Sequence, residues 1–133
     1  MFRDLCFIMR GYLLGSVLFA RVWGKVVAGK DITQDAPDQN PGTTNAFRNG
    51  GVLCGLLTLV CDLLKGFVPV FLYLRTGPGP ALGFVMAAPV LGHVFPVFAP
   101  FRGCTGVATP FCCLLALPRP VRPLASPFPC FPL

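Results

Sequence analysis

The strongest constraint on this chain is a long apolar stretch from Val52 to Leu74 that carries Asp62 and Lys65 near its centre. About 20 mostly apolar residues are enough for a helix to cross the hydrocarbon core of a bilayer. Ionisable groups are costly at that depth, and residues three apart share one helix face. We therefore predict a membrane-spanning helix in which Asp62 and Lys65 pair or line a polar cavity. An ion pair that only joins helices is the structural alternative.

Charge is too sparse for a water-soluble domain. The 133 residues are 54% hydrophobic and 12% charged, whereas a soluble domain is about 25% charged. The net charge of +6 would suit nucleic acid, but the basic residues are scattered at the edges of apolar stretches and are not clustered with aromatics. Seven cysteines without a CxxC motif predict neither a zinc site nor a disulfide framework. We expect a membrane protein without a nucleic-acid partner.

Two further stretches complete the predicted fold. The first runs from Leu5 to Trp23, with small residues Gly11, Gly15 and Ser16 that allow another helix to approach closely. The other runs from Ala81 to Phe101 and is interrupted by three prolines. We predict an all-α membrane protein with about three transmembrane helices of a larger polytopic fold.

The first stretch has a rival interpretation as a cleaved signal peptide, which would release a secreted peptide starting near Arg21. No small-x-small cleavage site follows Ala20, so we favour a retained span. Lysines and arginines concentrate in the loop between the first two spans and after Phe101. The positive-inside rule therefore predicts cytoplasmic motif loops in a multi-pass cell-membrane protein, with the amino terminus outside.

The end of the chain differs in composition from the rest. Seven of the 15 prolines fall between Pro110 and Leu133, and no acidic residue occurs after Asp62. Proline at this density opposes a continuing helix. We expect residues 1–109 to form the amino-terminal part of the membrane domain and residues 110–133 to be an irregular Pro- and Cys-rich tail not native to the fold. Our hypothesis is that the chain is truncated or leaves its natural reading frame near Pro110.

The loop before the second span has the composition of an anion site. Asn40, Gly42, Thr43 and Asn45 combine turn-forming backbone with amide and hydroxyl donors, and Arg48 follows. Backbone amides freed in such turns, together with an arginine, form a concavity that holds a phosphate oxyanion. The alternative is a solvated turn in which the NPG and NGG triplets only mark changes of chain direction.

A second glycine-containing segment follows the third span. Arg102, Gly103 and Gly106 form a turn of the kind that receives an anion at a helix end. His93, at the edge of the apolar stretch, is by itself more often hydrogen-bonded structure than a catalyst. Two such loops on the same side of the membrane suit a substrate that carries a phosphate and a second charged group.

These ordered motifs resemble the bacterial membrane acyl-phosphate:glycerol-3-phosphate acyltransferases. The resemblance covers roughly residues 11–109 and rests on four ordered motifs, of which the fourth has two consecutive parts. The matching positions are Gly15 and Ser16; Asn40, Pro41, Gly42, Thr43, Thr44, Asn45 and Arg48; Asp62, Lys65 and Gly66; Gly92, His93, Phe95, Pro96, Val97 and Phe98; and Gly103, Gly106, Val107, Ala108 and Thr109.

The resemblance implies transfer of an acyl group from acyl phosphate to the 1-hydroxyl of glycerol 3-phosphate, giving lysophosphatidic acid for phospholipid synthesis. It implies that the two loops bind the phosphate-bearing substrates, that Lys65, His93 and Arg48 are the catalytic candidates, and that Arg102 supplies further charge. Acyl phosphate is already activated, so the protein supplies mainly positioning and charge neutralisation. No cofactor or metal is expected, and the oligomeric state stays open.

Two departures from the family pattern affect the anion loops. Asp38 stands where the family has a serine, and Thr105 stands where it has a lysine. Both changes reduce the positive character of a phosphate site. A noncatalytic small membrane protein, with glycines that pack against partner helices, or an inactive fragment is therefore the alternative function.

Overall fold

The computed structural model describes residues 1–34, 37, 39–77, 79–98 and 108–117. In chain order the helices are α1 (Phe2–Gly15), α2 (Phe19–Val27), α3 (Thr43–Arg75), α4 (Leu82–Val94) and α5 (Ala108–Leu115). No strand occurs within these described ranges, so the prediction of an all-α fold is confirmed.

The predicted first span is a pair of helices. α1 and α2 meet at an angle of 41° across residues 16–18, and only together are they long and apolar enough to cross a membrane. At the break, the Ser16 hydroxyl donates back to the Tyr12 carbonyl at 2.8 Å, and Leu18 adopts a non-helical backbone (φ −90°, ψ 88°). The break takes the Val17 carbonyl out of the helical hydrogen-bond ladder, so its oxygen can accept from another group.

The long helix α3 reverses direction sharply at Gly51, whose backbone angles (φ 86°, ψ 173°) are open essentially to glycine alone. Residues 43–50 lie back along the next part of the helix. The Phe47 ring packs against Gly55, and the Thr43 side chain lies close to Asp62. In a straight helix these pairs would be about 12 Å and about 28 Å apart. α3 is therefore a helical hairpin with one short arm and one long arm.

The long arm confirms the predicted second span. Residues 52–75 extend about 36 Å at roughly 1.5 Å per residue, which is enough for a hydrocarbon core of about 30 Å. Within the described part of the chain, α3 contains one segment with the length and composition of a membrane span, and the bent α1–α2 pair makes a second.

The third predicted span is too long. α4 has 13 residues and extends about 20 Å, because it ends at Val94 and does not continue to Phe101. Pro96 explains the end, since the residue before a proline is disfavoured in the helical region, and Phe95 has non-helical angles (φ −120°, ψ 71°). Residues 99–101 lie outside the described ranges.

The expectation of irregular chain from Pro110 onward is also corrected, because α5 runs through Leu115. Pro110 is the third residue of α5 and lies in the first turn, where the backbone N–H has no helical partner in any case. The Cys113 thiol lies 3.4 Å from the Gly66 carbonyl and 3.5 Å from the Met86 carbonyl. α5 therefore packs against α3 and α4. Residues 118–133 lie outside the described part, and the proposed change of reading frame stays a prediction.

Glycines bring α1 and α4 together almost backbone to backbone. A Cβ atom added at Gly15 would lie 2.7 Å from Pro89 Cα, and one added at Gly92 would lie 2.9 Å from the Ser16 nitrogen. Distances this short exclude a side chain at either position. The close approach that small residues predicted for the first span is therefore real, and its partner is α4.

A polar network joins the start of α1 to the end of α3. Arg3 donates to the Thr76 carbonyl at 3.0 Å, and the Tyr73 hydroxyl donates to the Asp4 carboxylate at 2.9 Å. Phe7 packs edge-on against the Tyr73 ring with centroids 5.4 Å apart. α1 and the long arm of α3 are thus antiparallel. Consequently the loop before α3 and the segment after α4 both lie at the opposite end of the bundle.

Replacing Gly15 with alanine should lower the free energy of unfolding by about 2 kcal/mol, because the added methyl overlaps Pro89. Gly83→Ala is the matched control, since it lies in α4 with open space around its Cβ position. That control should be neutral or stabilising by up to about 1 kcal/mol through helix propensity. Reversible unfolding in mixed micelles measures both, and equal effects would contradict the α1–α4 packing.

Gly51→Ala should also destabilise the chain, by about 1–3 kcal/mol, for a different reason. Space around the Gly51 Cβ position is open, so the cost is the strain of a positive φ in a residue with a side chain. The same unfolding measurement, again compared with Gly83→Ala, checks this. An unchanged stability would mean that the hairpin of α3 does not form.

Candidate functional site

Lys65 lies at the centre of the site, where it is almost completely buried. Its ammonium nitrogen is 2.7 Å from Asp62 Oδ1, 2.7 Å from His93 Nδ1 and 3.1 Å from the Val17 carbonyl oxygen. The Phe19 ring covers it, with the centroid 5.6 Å away. Asp62 and Lys65 share a face of α3 because they are three residues apart. The other groups come from α4, the α1–α2 break and α2.

Asp62 and His93 are as buried as the lysine they contact, with 3% and 2% of their surfaces exposed. A buried charge is tolerated only when it is paired and hydrogen-bonded. Lys65 is therefore held as an ammonium by Asp62. Because an ammonium only donates, His93 Nδ1 must accept, and the neutral ring carries its hydrogen on Nε2. The cluster thus fixes both the charge of Lys65 and the tautomer of His93.

The glycine before His93 explains how the histidine reaches this position. Gly92 is buried where α4 crosses the Tyr12–Ser16 turn of α1. Tyr12 adds a second link, since its hydroxyl donates to the Phe95 carbonyl at 2.9 Å. α4 is thereby pressed against the end of α1, and His93 faces the lysine from there.

The predicted anion loop leads into the short arm of α3. The Asn45 side chain donates to the Asn40 carbonyl at 2.8 Å, which closes the turn around the buried Gly42. The Thr43 side chain lies close to Asp62, so the start of the short arm is adjacent to the Lys65 cluster. Arg48 is exposed on the short arm, and among the described residues it makes no hydrogen bond or ion pair with the cluster.

The structure thus joins some of the predicted site residues and not others. Asp62, Lys65, His93 and Thr43 form one contact network, and Ser16 is adjacent to it at the α1–α2 break. The glycine-rich segment lies outside the described part of the chain, as do the two departures from the family pattern. These residues are Arg102, Gly103, Gly106, Asp38 and Thr105.

Sequence reasoning missed two members of the cluster. The Val17 carbonyl is a backbone group that becomes available only through the break, and no residue type signals it. Phe19 looked like one of many apolar residues of the first span, although its ring covers the ammonium of Lys65. The only sequence signal for Val17 and Phe19 was that they follow the Gly15–Ser16 motif closely along the chain.

Two cavities lie on either side of the α1–α2 break. One, of about 380 Å³, is lined by residues that include Ser16, Arg21 and Lys25. The other, of about 220 Å³, is lined by Leu14, Phe19, Leu64 and other apolar residues, together with Lys65. The described residues contain no group of three or more His, Cys or Asp side chains able to hold a metal ion. The site thus places the Lys65–Asp62 ion pair and an oriented imidazole near a basic cavity and an apolar one.

Comparison with known proteins identifies the family. The family model described as glycerol-3-phosphate acyltransferase matches residues 5–130. A glycerol-3-phosphate acyltransferase of Haemophilus ducreyi is 43% identical over 105 residues, which are 78% of this chain and 52% of the relative. One of Cupriavidus pinatubonensis is 41% identical over 128 residues, which are 92% of this chain and 62% of the relative.

Two solved structures share the fold. The crystal structure of PlsY (YgiH), an integral membrane glycerol 3-phosphate acyltransferase, in its glycerol 3-phosphate form, is 34% identical with a TM-score of 0.79. The lysophosphatidic acid form gives a TM-score of 0.76 at the same identity. Both alignments cover 92% of this chain, and they cover 62% and 61% of the solved chains.

The chain therefore spans about half to three fifths of the length of the relatives it matches. Within that part, the match includes both the Lys65 cluster and the short arm of α3. The chain belongs to the glycerol-3-phosphate acyltransferase family of integral membrane proteins.

Proposed function

We propose that this chain carries the substrate-binding core of an enzyme that transfers an acyl group from acyl phosphate to the 1-hydroxyl of glycerol 3-phosphate. The observation that carries the proposal is the buried network of Lys65, Asp62 and His93 beside the loop that starts α3. Family membership and the glycerol 3-phosphate and lysophosphatidic acid forms of PlsY support it.

The reaction does not require a covalent intermediate with the protein. The 1-hydroxyl oxygen attacks the carbonyl carbon of the acyl phosphate, a new ester bond forms, and the carbon–oxygen bond to phosphate breaks. The hydroxyl proton leaves with the inorganic phosphate, and lysophosphatidic acid is the other product. Because the leaving group is already good, the main requirements are orientation of the hydroxyl and neutralisation of phosphate charge.

Each predicted residue has a role that fits its position. Lys65 directs its ammonium to Asp62, His93 and the Val17 carbonyl, so it positions the histidine. His93 keeps Nε2–H as a donor for a substrate oxygen. The Asn40–Asn45 turn and exposed Arg48 bind phosphate, with Arg102, Gly103 and Gly106 completing that site. The apolar cavity beside Phe19 and Lys65 suits an alkyl chain.

The same geometry supports the expected topology. The loop before α3 and the segment after α4 share one end of the bundle, and Phe98 lines a cavity together with Arg21 and Lys25. Basic residues gather at this end, so we place it on the cytoplasmic side of the cell membrane, with the amino terminus outside.

The second candidate function is that of a noncatalytic small membrane protein or an inactive fragment. The chain covers only 52–62% of its curated relatives. In a noncatalytic protein, the glycine contacts between α1 and α4 would only pack the two helices together. Acyl-transfer measurements on this chain distinguish the two functions.

Arg48→Ala should lower acyl transfer by about 10- to 100-fold, the value of a lost charge-assisted hydrogen bond. Membranes containing the full chain are supplied with palmitoyl phosphate and labelled glycerol 3-phosphate, and labelled lysophosphatidic acid is counted. Arg75→Ala is the matched control, because Arg75 is an exposed arginine at the other end of α3. Signals at background for all three chains would favour the inactive fragment.

Lys65→Met should destabilise the chain by about 3–5 kcal/mol, because it leaves Asp62 buried without its cation. The double variant Lys65→Met with Asp62→Asn removes both charges and should recover most of that stability while acyl transfer stays lost. Unfolding in mixed micelles and the acyl-transfer assay give the two readouts. If the double variant recovered acyl transfer as well as stability, Lys65 and Asp62 would serve only as an ion pair that joins helices.

A further inference from the structure

The larger cavity at the α1–α2 break is lined by two basic residues, and the proposed reaction does not use them. It has a volume of about 380 Å³, and Arg21 and Lys25 line it together with Ser16, Val22 and Phe98. Arg21 and Lys25 are four residues apart on α2 and therefore share a face. The cavity thus places two cations beside Phe98, at the end of the bundle where α4 ends.

Arg21 has donor capacity that the described residues do not use. Its Nε is buried, and no hydrogen-bond partner for that atom occurs among the described residues. Its terminal nitrogen lies 3.5 Å from the Thr33 hydroxyl, at the outer limit of a hydrogen bond. A guanidinium with unsatisfied donors beside a cavity is suited to a planar or tetrahedral oxyanion.

Asp31 lies near these cations, and Thr33 hydrogen-bonds to its carboxylate. The Thr33 hydroxyl donates to Asp31 Oδ1 at 2.6 Å, and the Thr33 amide donates to the same oxygen at 3.1 Å. Partial burial raises the pKa of Asp31, but the Thr33 hydrogen bonds and the charges of Arg21 and Lys25 together bring it below its usual value. The carboxylate is therefore ionised, and Arg21, Lys25 and Asp31 together carry about one positive charge.

An apolar cavity lies across the same break. Leu14, Phe19, Leu64 and Val68 line it, and Lys65 closes one side. Residues 16–18 thus separate a basic compartment from an apolar one. A molecule with a phosphate head and one alkyl chain matches both compartments at once, whereas a free anion matches only the first.

We propose that the basic cavity of Arg21 and Lys25 binds the phosphate group of a single-chain phosphate amphiphile. The amphiphile lies across residues 16–18, with its chain in the apolar cavity. The binding site deepens the proposed function and rests on it for the identity of that amphiphile, which is the acyl phosphate or lysophosphatidic acid. Free phosphate and bilayer headgroups offer the same anion and are separated by the experiment.

Binding to the purified full chain in neutral detergent tests the site. The ligands are lysophosphatidic acid, inorganic phosphate and lysophosphatidylcholine, whose chain is the same but whose phosphate carries a choline. Arg21→Gln and Lys25→Gln should each weaken lysophosphatidic acid binding about tenfold or more. Arg75→Gln, which removes an exposed arginine at the far end of α3, should leave it unchanged. Arg21→Lys should bind better than Arg21→Gln.

Unchanged lysophosphatidic acid affinity in Lys25→Gln and Arg21→Gln would overturn the proposal. Lys25 is exposed, so its variant tests the site even if Arg21→Gln fails to fold. Inorganic phosphate bound as tightly as lysophosphatidic acid would contradict the need for a chain. Loss of lysophosphatidic acid binding in nanodiscs of phosphatidylglycerol, but not of phosphatidylcholine, would assign the cavity to bilayer headgroups instead.

Ligand binding and acyl transfer test the site and the proposed function independently of each other. Acyl transfer at background, together with Arg21-dependent binding, would reject the catalytic function and keep the site. Normal acyl transfer by Arg21→Gln and Lys25→Gln, together with unchanged lysophosphatidic acid binding, would reject the site and keep the catalytic function.

Discussion

The buried ammonium of Lys65 is the interaction on which the rest of the arrangement depends. A charge at this depth is stable only with partners, and its partners come from different parts of the chain: Asp62 in α3, His93 in α4 and the Val17 carbonyl at the α1–α2 break. Each partner requires a local departure from regular helix packing. The bend after α1 exposes a carbonyl, and Gly92 lets α4 come close enough for the imidazole to reach. One cation therefore sets the relative positions of three segments.

Much of this was predictable from the sequence, and the reasons are physical. The Val52–Leu74 span and the pairing of Asp62 with Lys65 follow from apolar length and helical spacing, which are local properties. The reversal at Gly51 was not predicted, because an NGG triplet signals a turn but not the direction in which the chain leaves it. The Val17 carbonyl could not be predicted at all, since every residue has one. Membership of His93 in the cluster came from the family resemblance and not from its own surroundings.

The proline-rich end shows where a compositional rule was applied too broadly. The density of proline over residues 110–133 predicts that no helix forms from Pro110 onward, yet the first turn of a helix tolerates proline. The groups that α5 contacts, which include the backbone carbonyls of Gly66 in α3 and Met86 in α4, are far away in sequence. The predicted third span failed for the opposite reason, because Pro96 ended α4 where hydropathy alone would have continued it.

The glycine contact between α1 and α4 also determines the side from which a lipid can arrive. Backbones that pack without an intervening side chain at Gly15 and Gly92 leave no gap wide enough for a methylene chain. The apolar cavity lies instead on the side formed by α1, α2 and the long arm of α3. Lateral diffusion within one leaflet brings an alkyl tail to that side directly, so the tail stays within hydrocarbon while its headgroup keeps contact with water. Access of this kind makes the local lipid composition, and not only the aqueous pool, a determinant of how often the cavity is occupied.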